Sequence, residues 1–349
     1  MKKILLVASF VVFCFTSGYS TSGVDSLESA LKTAKGESKV KIYNELFRAY
    51  LNTDPVKAIG FAREGLMLGT EVKDLKGMAA SYNNLGVAYR NQGAFDKALE
   101  NYFQSLKLYD SLNYVDGIAT TKNNIGTIFS VKKDYTKAMK YFEESFQLFS
   151  DAKNNEKMIG SLNNLGNLHS DLQLYEQALQ FYSQAMDLSQ KSGKIYSDAL
   201  NNMGNLYFRQ GNYQKSVEYY LRSLTLAKNE NNKLSEINVR TNLGEAYSNL
   251  GQYTKAMTTL DSALAQCRQL EAFAYEPQIL KSRAENYYGQ GKMKEAYESM
   301  LSYDKAREKI YGEESTRKIA QMEVAIELQA KEKELEAFRK DAKINSLEL

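Results

Sequence analysis

A four-residue signature recurs five times along this chain at nearly constant spacing. Two polar residues, almost always asparagine, precede an aliphatic residue and a glycine. The copies are Asn83-Asn84-Leu85-Gly86, Asn123-Asn124-Ile125-Gly126, Asn163-Asn164-Leu165-Gly166, Asn201-Asn202-Met203-Gly204 and Thr241-Asn242-Leu243-Gly244. Successive glycines lie 40, 40, 38 and 40 residues apart. A period of this size predicts a solenoid, in which stacked units bury one continuous core.

Each unit has the pattern of two helices joined by a tight turn. Tyr82, Leu85 and Tyr89 lie at i, i+3 and i+7, on one face of a helix. Gly93 interrupts this pattern, and the apolar spacing of a second helix begins at Phe95. The glycine of the signature costs a helix roughly 1 kcal/mol relative to alanine. Its recurrence therefore predicts that a neighbouring helix passes too close for a side chain.

The same positions return along the chain, including degenerate units at both ends. The turn glycine recurs as Gly211, Gly251 and Gly291, whereas Lys133 and Gln173 replace it in the third and fourth units. In the first unit, Asp54-Pro55 predicts a capped helix start. Seven units are predicted within a solenoid spanning 21–306. They lie near 40–70, 78–112, 116–152, 156–190, 195–229, 234–268 and 274–306.

Composition agrees with a fold made only of helices. The 349 residues are 43% hydrophobic and include only two prolines. No stretch alternates convincingly with the period of a β-strand, so we expect one all-α solenoid rather than two globular domains.

The order Leu-Gly-x-x-Tyr, then Gly-x-aromatic-x-x-Ala, resembles the tetratricopeptide repeat (TPR) family over residues 40–306. The resemblance implies a right-handed superhelix with a concave inner face. The 40-residue step exceeds the 34 residues of the standard repeat. Long repeats with Asn-Asn-Leu-Gly are similar to the cargo-binding arrays of kinesin light chains and LGN-type adaptors.

The recurring asparagines are the first candidate binding residues. One residue before an inward-pointing leucine, a helix has turned by about 100°, which places the asparagine at the edge of the concave face. A side-chain amide can pair with a peptide backbone, and matching asparagines do so in kinesin-light-chain-like arrays. Alternatively, these amides form hydrogen bonds between neighbouring helices and hold the superhelix together. The two roles can coexist. The predicted peptide-binding residues are Asn84, Asn124, Asn164, Asn202 and Asn242, with Asn167 and Asn205 just after the glycine.

Catalysis, cofactor binding and metal binding are not expected. The single histidine, His169, stands where other units carry an aromatic packing residue. Apart from Cys14 in the leader, the one cysteine is Cys267, expected to pack as a small apolar residue. No phosphate-binding loop and no catalytic carboxylate pair stands out. The nearly balanced charge, +3 for the whole chain, gives no reason to bind nucleic acid.

Residues 1–20 are predicted to be a signal peptide. Lys2-Lys3 precede a run of apolar residues from Ile4 to Phe15 that is too short to span a membrane. We expect a bacterial protein that is exported to the periplasm or beyond, with no membrane span in the mature chain. A buried first helix and a lipoprotein signal at Cys14 are less favoured alternatives.

Residues 307–349 are predicted to form a long charged helix. Ile319, Met322 and Ile326 lie at heptad spacing, as do residues from Leu335 onward, which favours a coiled coil and a homodimer. The alternatives are a solvated single helix and a helix that folds back onto the last unit.

The order signal peptide, repeat array and charged helix resembles the outward-facing part of bacterial TPR sensor proteins. Two functions are therefore expected: an exported scaffold that binds a peptide or protein segment, or the sensory input region of a membrane-anchored signalling protein. An exported hydrolase is a distant third.

Overall fold

A computed structural model describes residues 21–192 and 197–312, with isolated positions at 321, 331 and 335. The predicted signal peptide and nearly all of the predicted charged helix lie outside these residues. The described part contains fifteen α-helices and no strand. The helices are α1 Thr21–Thr33, α2 Gly36–Tyr50, α3 Pro55–Glu71, α4 Leu75–Asn91, α5 Phe95–Ser111, α6 Val115–Val131, α7 Tyr135–Asp151, α8 Asn155–Asp171, α9 Tyr175–Lys191, α10 Asp198–Arg209, α11 Tyr213–Asn229, α12 Lys233–Asn249, α13 Tyr253–Gln269, α14 Glu276–Gly289 and α15 Met293–Tyr311.

From α2 onward the helices form seven antiparallel pairs, each packed on the next. We number these pairs as units 1 to 7, from α2–α3 to α14–α15. The predicted all-α solenoid is confirmed. A short 3₁₀ turn, Phe273–Tyr275, precedes α14.

Helix α1 precedes the repeats and was not predicted from the periodicity. It is tied to unit 1 by Glu28, whose carboxylate accepts hydrogen bonds from the hydroxyl of Tyr50 at 2.6 Å and the ammonium of Lys57 at 2.7 Å. The predicted helix start at Asp54-Pro55 is also confirmed, because the Asp54 carboxylate accepts from the backbone N–H of Lys57 at 2.9 Å.

The signature glycines lie where the second helix of the same unit crosses the first. A Cβ atom on Gly204 would lie 2.5 Å from the ring of Tyr220, and one on Gly244 would lie 2.6 Å from Leu260. Gly86, Gly126 and Gly166 meet the rings of Tyr102, Phe142 and Tyr182 in the same way. The prediction of a close crossing is confirmed, but the crossing partner is an aromatic or leucine side chain rather than a bare backbone.

The turn inside each of units 2 to 7 requires a left-handed residue whether or not glycine is present. Gly93 has φ +76°, and Lys133 and Gln173 adopt +62° and +61° at the equivalent position. Left-handed backbone brings the Cβ of a non-glycine residue too close to the following carbonyl. Units 3 and 4 therefore carry strain that units 2, 5, 6 and 7 avoid.

The two ends of the array contact each other. The backbone N–H of Ala274, just before unit 7, donates to the carbonyl of Asn52, in the turn of unit 1, at 3.4 Å. A small cavity at this contact is lined by Leu51, Pro55, Ile59, Ala88, Asn91, Gln92 and Ala274. The turn of unit 1 thus lies against the segment that joins units 6 and 7.

Candidate functional site

The predicted asparagines form a ladder that links successive units. The second asparagine of a signature donates from Nδ2 to the Oδ1 of the first asparagine one unit earlier. The distances are 2.9 Å for Asn124 to Asn83, 2.9 Å for Asn164 to Asn123 and 3.0 Å for Asn242 to Asn201. In unit 1, where Tyr43 replaces the first asparagine, Asn84 donates to Asn44 at 2.7 Å.

These bonds give the ladder the structural role that the sequence left open as an alternative. Asn84, Asn124 and Asn202 are buried, whereas Asn164 and Asn242 are half-buried. A buried amide without a partner costs about 1–3 kcal/mol. Each of these hydrogen bonds between units, which we call a rung of the ladder, therefore fixes how one unit sits on the next. The acceptors Asn83, Asn123 and Asn201 were not among the predicted site residues, although they belong to the same signature.

The ladder has one gap, at the junction with the 38-residue spacing. Asn202 makes no hydrogen bond to any described residue. The Oδ1 of Asn163, the acceptor expected for it, is buried and has no partner. Helix α10 has 12 residues, whereas most of the other first helices have 17. The shorter step changes the register of the two signatures, and this rung does not form.

Asn167 and Asn205, one residue after the glycine, are held by a different contact. The hydroxyl of Tyr182 donates to the Oδ1 of Asn167 at 2.7 Å, and that of Tyr220 donates to the Oδ1 of Asn205 at 2.6 Å. Burial raises the pKa of both tyrosine hydroxyls, so both remain protonated donors. Neither Nδ2 donates to a described residue, and both asparagines are half-buried.

In units 4 and 5 the crossing tyrosine is accompanied by an asparagine fifteen residues earlier, whereas unit 2 has Tyr102 opposite Val87. Unit 3 has Phe142 opposite Thr127, and unit 6 has Leu260 opposite Glu245. A phenylalanine or leucine at the crossing position has no hydroxyl with which to orient an amide. The pairing of Tyr with Asn fifteen residues earlier is a sequence signal that could have identified these two residues as a matched set.

Carboxylates lie on the first helices of units 5 and 6. The Glu245 carboxylate accepts from the hydroxyl of Ser282 at 2.5 Å and from the amide of Gln278 at 2.7 Å, and its burial raises its pKa. Burial, with a smaller contribution from the charge of Glu230, raises the pKa of Asp198 to about 7. The charge of these carboxyl groups therefore changes at a higher pH than that of an exposed carboxyl group.

His169 and Cys267 occupy packing positions, as predicted. The ring of His169 lies 4.8 Å from that of Phe181, and its Nδ1 lies 2.8 Å from the carbonyl of Leu165. The Cys267 thiol is buried, donates to the carbonyl of Ala272 at 3.1 Å, and has its pKa raised to about 12 by burial. Among the described residues, no group of three or more His, Cys, Asp or Glu side chains is arranged to hold a metal ion.

No helix in the described part of the chain combines the length and the apolar character needed to cross a bilayer.

Several solved structures share this fold. The apo form of RapI is 16% identical, with a TM-score of 0.54, and the match covers 81% of this chain and 99% of that one. A Rap protein complexed with competence and sporulation factor is 12% identical, with a TM-score of 0.54, over 88% of this chain and 97% of that one. Aspartyl phosphate phosphatase F from Bacillus subtilis is 12% identical, with a TM-score of 0.51, over 83% and 89% of the two chains. Comparison with curated protein sequences gave no match.

The repeats themselves match known family models. Two models of the tetratricopeptide repeat match this sequence, one over residues 79–112 and the other over residues 117–191 and 196–269. The matched segments coincide with units 2 to 6 of the structure. The chain therefore belongs to the tetratricopeptide repeat family.

Proposed function

We propose that this protein is a non-catalytic scaffold that binds an extended peptide or protein segment against the inner helices of units 4 and 5. The observation that carries the proposal is the pair of hydroxyl–amide contacts from Tyr182 to Asn167 and from Tyr220 to Asn205. A repeat array of this family is an interaction scaffold, and the class of ligand follows from these two amides.

The two contacts fix the direction of each amide. An asparagine side chain can flip its oxygen and nitrogen, but an oxygen that accepts from a protonated hydroxyl stays in place. Each Nδ2 then presents its two hydrogens away from the tyrosine. Donors that are already oriented lose little entropy when a ligand binds. Two such donors, one unit apart, suit the carbonyl groups of an extended backbone.

The ladder asparagines can take part in the same complex. Each Nδ2 carries two hydrogens, and a rung between units uses one of them. The half-buried Asn164 is therefore the member of the ladder best placed to offer its second hydrogen to a ligand, whereas the Nδ2 of Asn242 also donates to the Oδ1 of Asn205 at 3.3 Å. Asn84, Asn124 and Asn202 are more deeply buried, and we assign them a smaller part in binding.

The comparison with solved structures supports the proposal only at the level of the fold. One protein with a similar fold, a Rap protein, was solved in complex with competence and sporulation factor. An array of helical pairs of this length therefore accommodates a bound factor in at least one relative of the fold. For this chain, the ligand chemistry rests on Asn167 and Asn205.

Export after removal of residues 1–20 is part of the proposal. The basic start and short apolar run of this segment support it. Fractionation of cells that produce the full chain tests it: the exported form is shorter by about this segment, and its new N-terminus is read by sequencing. An unshortened protein confined to the cytoplasm would contradict export without affecting the binding proposal.

Binding is tested with an array of short peptides of random sequence. The unaltered protein is expected to retain a subset of them. The Asn167→Ala, Asn205→Ala double variant is expected to lose at least tenfold in affinity for the same peptides while it remains folded, with a lower melting temperature because the buried hydroxyls of Tyr182 and Tyr220 lose these acceptors. Tyr182→Phe with Tyr220→Phe should give an intermediate loss, because the amides remain but are no longer oriented.

The matched control is Asn101→Ala, which changes a half-buried asparagine on the second helix of unit 2 whose amide donates to the carbonyl of Lys97. It is expected to bind like the unaltered protein. Equal affinity of the Asn167, Asn205 double variant and the control for every retained peptide would contradict the proposed site.

A further inference from the structure

The junction between units 4 and 5 leaves two buried amides without partners. Asn163 is 8% exposed and Asn202 is 7% exposed. The Oδ1 of Asn163 has no hydrogen-bond partner, and the amide of Asn202 bonds to no described residue. At the preceding junction the equivalent amides, those of Asn123 and Asn164, are bonded to each other. A buried polar group without a partner is costly, so the exception at units 4 and 5 calls for an explanation.

The next junction along the array shows what the second asparagine of a signature faces. There, the Nδ2 of Asn242 donates to the Oδ1 of Asn201 at 3.0 Å and to the Oδ1 of Asn205 at 3.3 Å. The second asparagine therefore lies between two side chains of the preceding unit: the first asparagine of its signature and the residue after its glycine. For unit 5, these two side chains belong to Asn163 and Asn167.

Four amides thus lie together on the first helices of units 4 and 5. Asn163 and Asn167 are at i and i+4 of α8, and Asn202 and Asn205 are at i and i+3 of α10, so each pair occupies one side of its helix. Asn167 and Asn205 are half-buried, whereas Asn163 and Asn202 are buried. A ligand whose backbone lies against Asn167 and Asn205 therefore reaches the deeper pair only with a side chain.

The unpaired groups define the chemistry of that side chain. It must donate a hydrogen bond to the Oδ1 of Asn163 and accept one from the Nδ2 of Asn202. A primary carboxamide does both, because it carries two N–H donors and a carbonyl oxygen, whereas a carboxylate has no donor and an ammonium no acceptor. A hydroxyl carries both functions on a single oxygen. A carboxamide presents them on two atoms and can span a gap that the two asparagines do not close themselves.

We propose that the side-chain carboxamide of a glutamine or asparagine in the bound peptide enters between α8 and α10, where it donates to the Oδ1 of Asn163 and accepts from the Nδ2 of Asn202. This inference rests on the peptide-binding function proposed above and adds a required residue type to the ligand. Asn163 and Asn202 lie too deep to hold the ligand backbone, and their role is to select one of its side chains. The 38-residue spacing that interrupts the ladder creates this position.

A cycle of protein and peptide variants tests the proposal. The peptides that the unaltered protein retains from the random array are expected to share a glutamine or asparagine at one position. Replacing that residue by methionine or leucine removes its donor and acceptor, and we expect the affinity to fall about tenfold or more. Replacement by glutamate or aspartate should cost as much, because a carboxylate has no hydrogen to donate.

The same peptide changes are then measured with two protein variants. For the Asn163→Ala, Asn202→Ala double variant, loss of the carboxamide is expected to change the affinity by less than about twofold, because the groups that bind it are gone. The matched control, Asn101→Ala, is expected to keep the full dependence on the carboxamide.

Three outcomes would overturn the proposal. The first is a set of retained peptides with no shared glutamine or asparagine. The second is an equal cost of the peptide change in the unaltered protein and in the Asn163, Asn202 variant. If Asn167→Ala, Asn205→Ala still lowers the affinity in either case, peptide binding stands and only the selection of a carboxamide falls. The third, retention of no peptide by the unaltered protein, would contradict both proposals.

Thermal unfolding separates a binding role from a structural one. Without peptide, Asn163→Ala is expected to lower the melting temperature less than Asn123→Ala, because the Oδ1 of Asn163 has no partner to lose, whereas that of Asn123 accepts from Asn164 at 2.9 Å. A retained peptide should raise the melting temperature of the unaltered protein more than that of the Asn163→Ala, Asn202→Ala variant. An equal or larger loss for Asn163→Ala than for Asn123→Ala without peptide would assign Asn163 a structural role and contradict the proposal.

Discussion

The side-chain amide of Asn164 donates to the Oδ1 of Asn123, 41 residues earlier, at 2.9 Å. This bond joins the first helices of units 4 and 3 at their signatures. The same relationship recurs at other junctions of the array. One residue type at one position thus sets how consecutive helix pairs sit on each other.

Loss of a hydrogen bond between two ladder asparagines should lower the stability of the protein, and the effects of replacing its two partners should not be additive. Asn123→Ala and Asn164→Ala are each expected to lower the free energy of unfolding by about 0.5–1.5 kcal/mol, the net contribution of a typical hydrogen bond, because each leaves a half-buried amide without its partner. The double variant should cost less than the sum, since the second change removes a group that is already unpaired. Urea unfolding of the three variants measures this coupling.

Asn202→Ala is the control for that cycle. Asn202 has no hydrogen-bond partner among the described residues, so its replacement should cost clearly less than that of Asn164. Strict additivity of Asn123→Ala and Asn164→Ala would refute the rung as an energetic contact.

The signature glycine should tolerate no side chain while its crossing partner is large. Gly204→Ala places a Cβ 2.5 Å from the ring of Tyr220 and is expected to destabilise the protein by about 1–3 kcal/mol. In a Tyr220→Ala background the same change should be nearly neutral, because the ring is gone. Thermal unfolding of the four proteins decides the point, and an equal cost in both backgrounds would argue against the steric explanation.

Left-handed turn residues offer a stabilising substitution. Lys133→Gly is expected to raise the free energy of unfolding by up to about 1 kcal/mol, because Lys133 has φ +62° and glycine adopts such a backbone without strain. Gly93→Lys, at the equivalent position of unit 2, should lower it by a similar amount. Chemical denaturation measures the free energy of unfolding of both variants. A change of the same sign in both would contradict the strain in unit 3.

Stability should fall as pH rises through neutrality because of Asp198. Its pKa is about 7 in the folded protein and about 3.8 in an unfolded chain, so folding favours the protonated form. The contribution is fully present below about pH 4 and is lost as pH rises through about 7. A shift of this size corresponds to at most about 4 kcal/mol.

Asp198→Asn is the variant that checks this dependence. It should unfold at a higher temperature than the unaltered protein at pH 8, and the difference should shrink toward pH 4. Glu230→Gln should reduce the slope only in part, because burial is the larger cause of the shift. Parallel pH profiles for the unaltered and Asp198→Asn proteins would contradict the assignment.

Periodicity was sufficient to predict the helix pairs and the close crossings. Gly86 and its crossing residue Tyr102 have counterparts at the same spacing in the later units. The local sequence therefore indicates both the helical period and the positions that are buried. Helix α1 escaped this reasoning because it belongs to no repeat, although its Glu28 accepts hydrogen bonds from Tyr50 and Lys57 of unit 1.

The use of each asparagine was decided only by the tertiary structure. Asn164 and Asn167 are chemically identical and three residues apart, yet one donates to Asn123 of the preceding unit and the other accepts from Tyr182 of its own. The closure between Asn52 and Ala274 was equally beyond the sequence. A repeat specifies its own fold through local spacing, whereas hydrogen-bond partners and the contact between the ends depend on the angle between units, summed over the whole array.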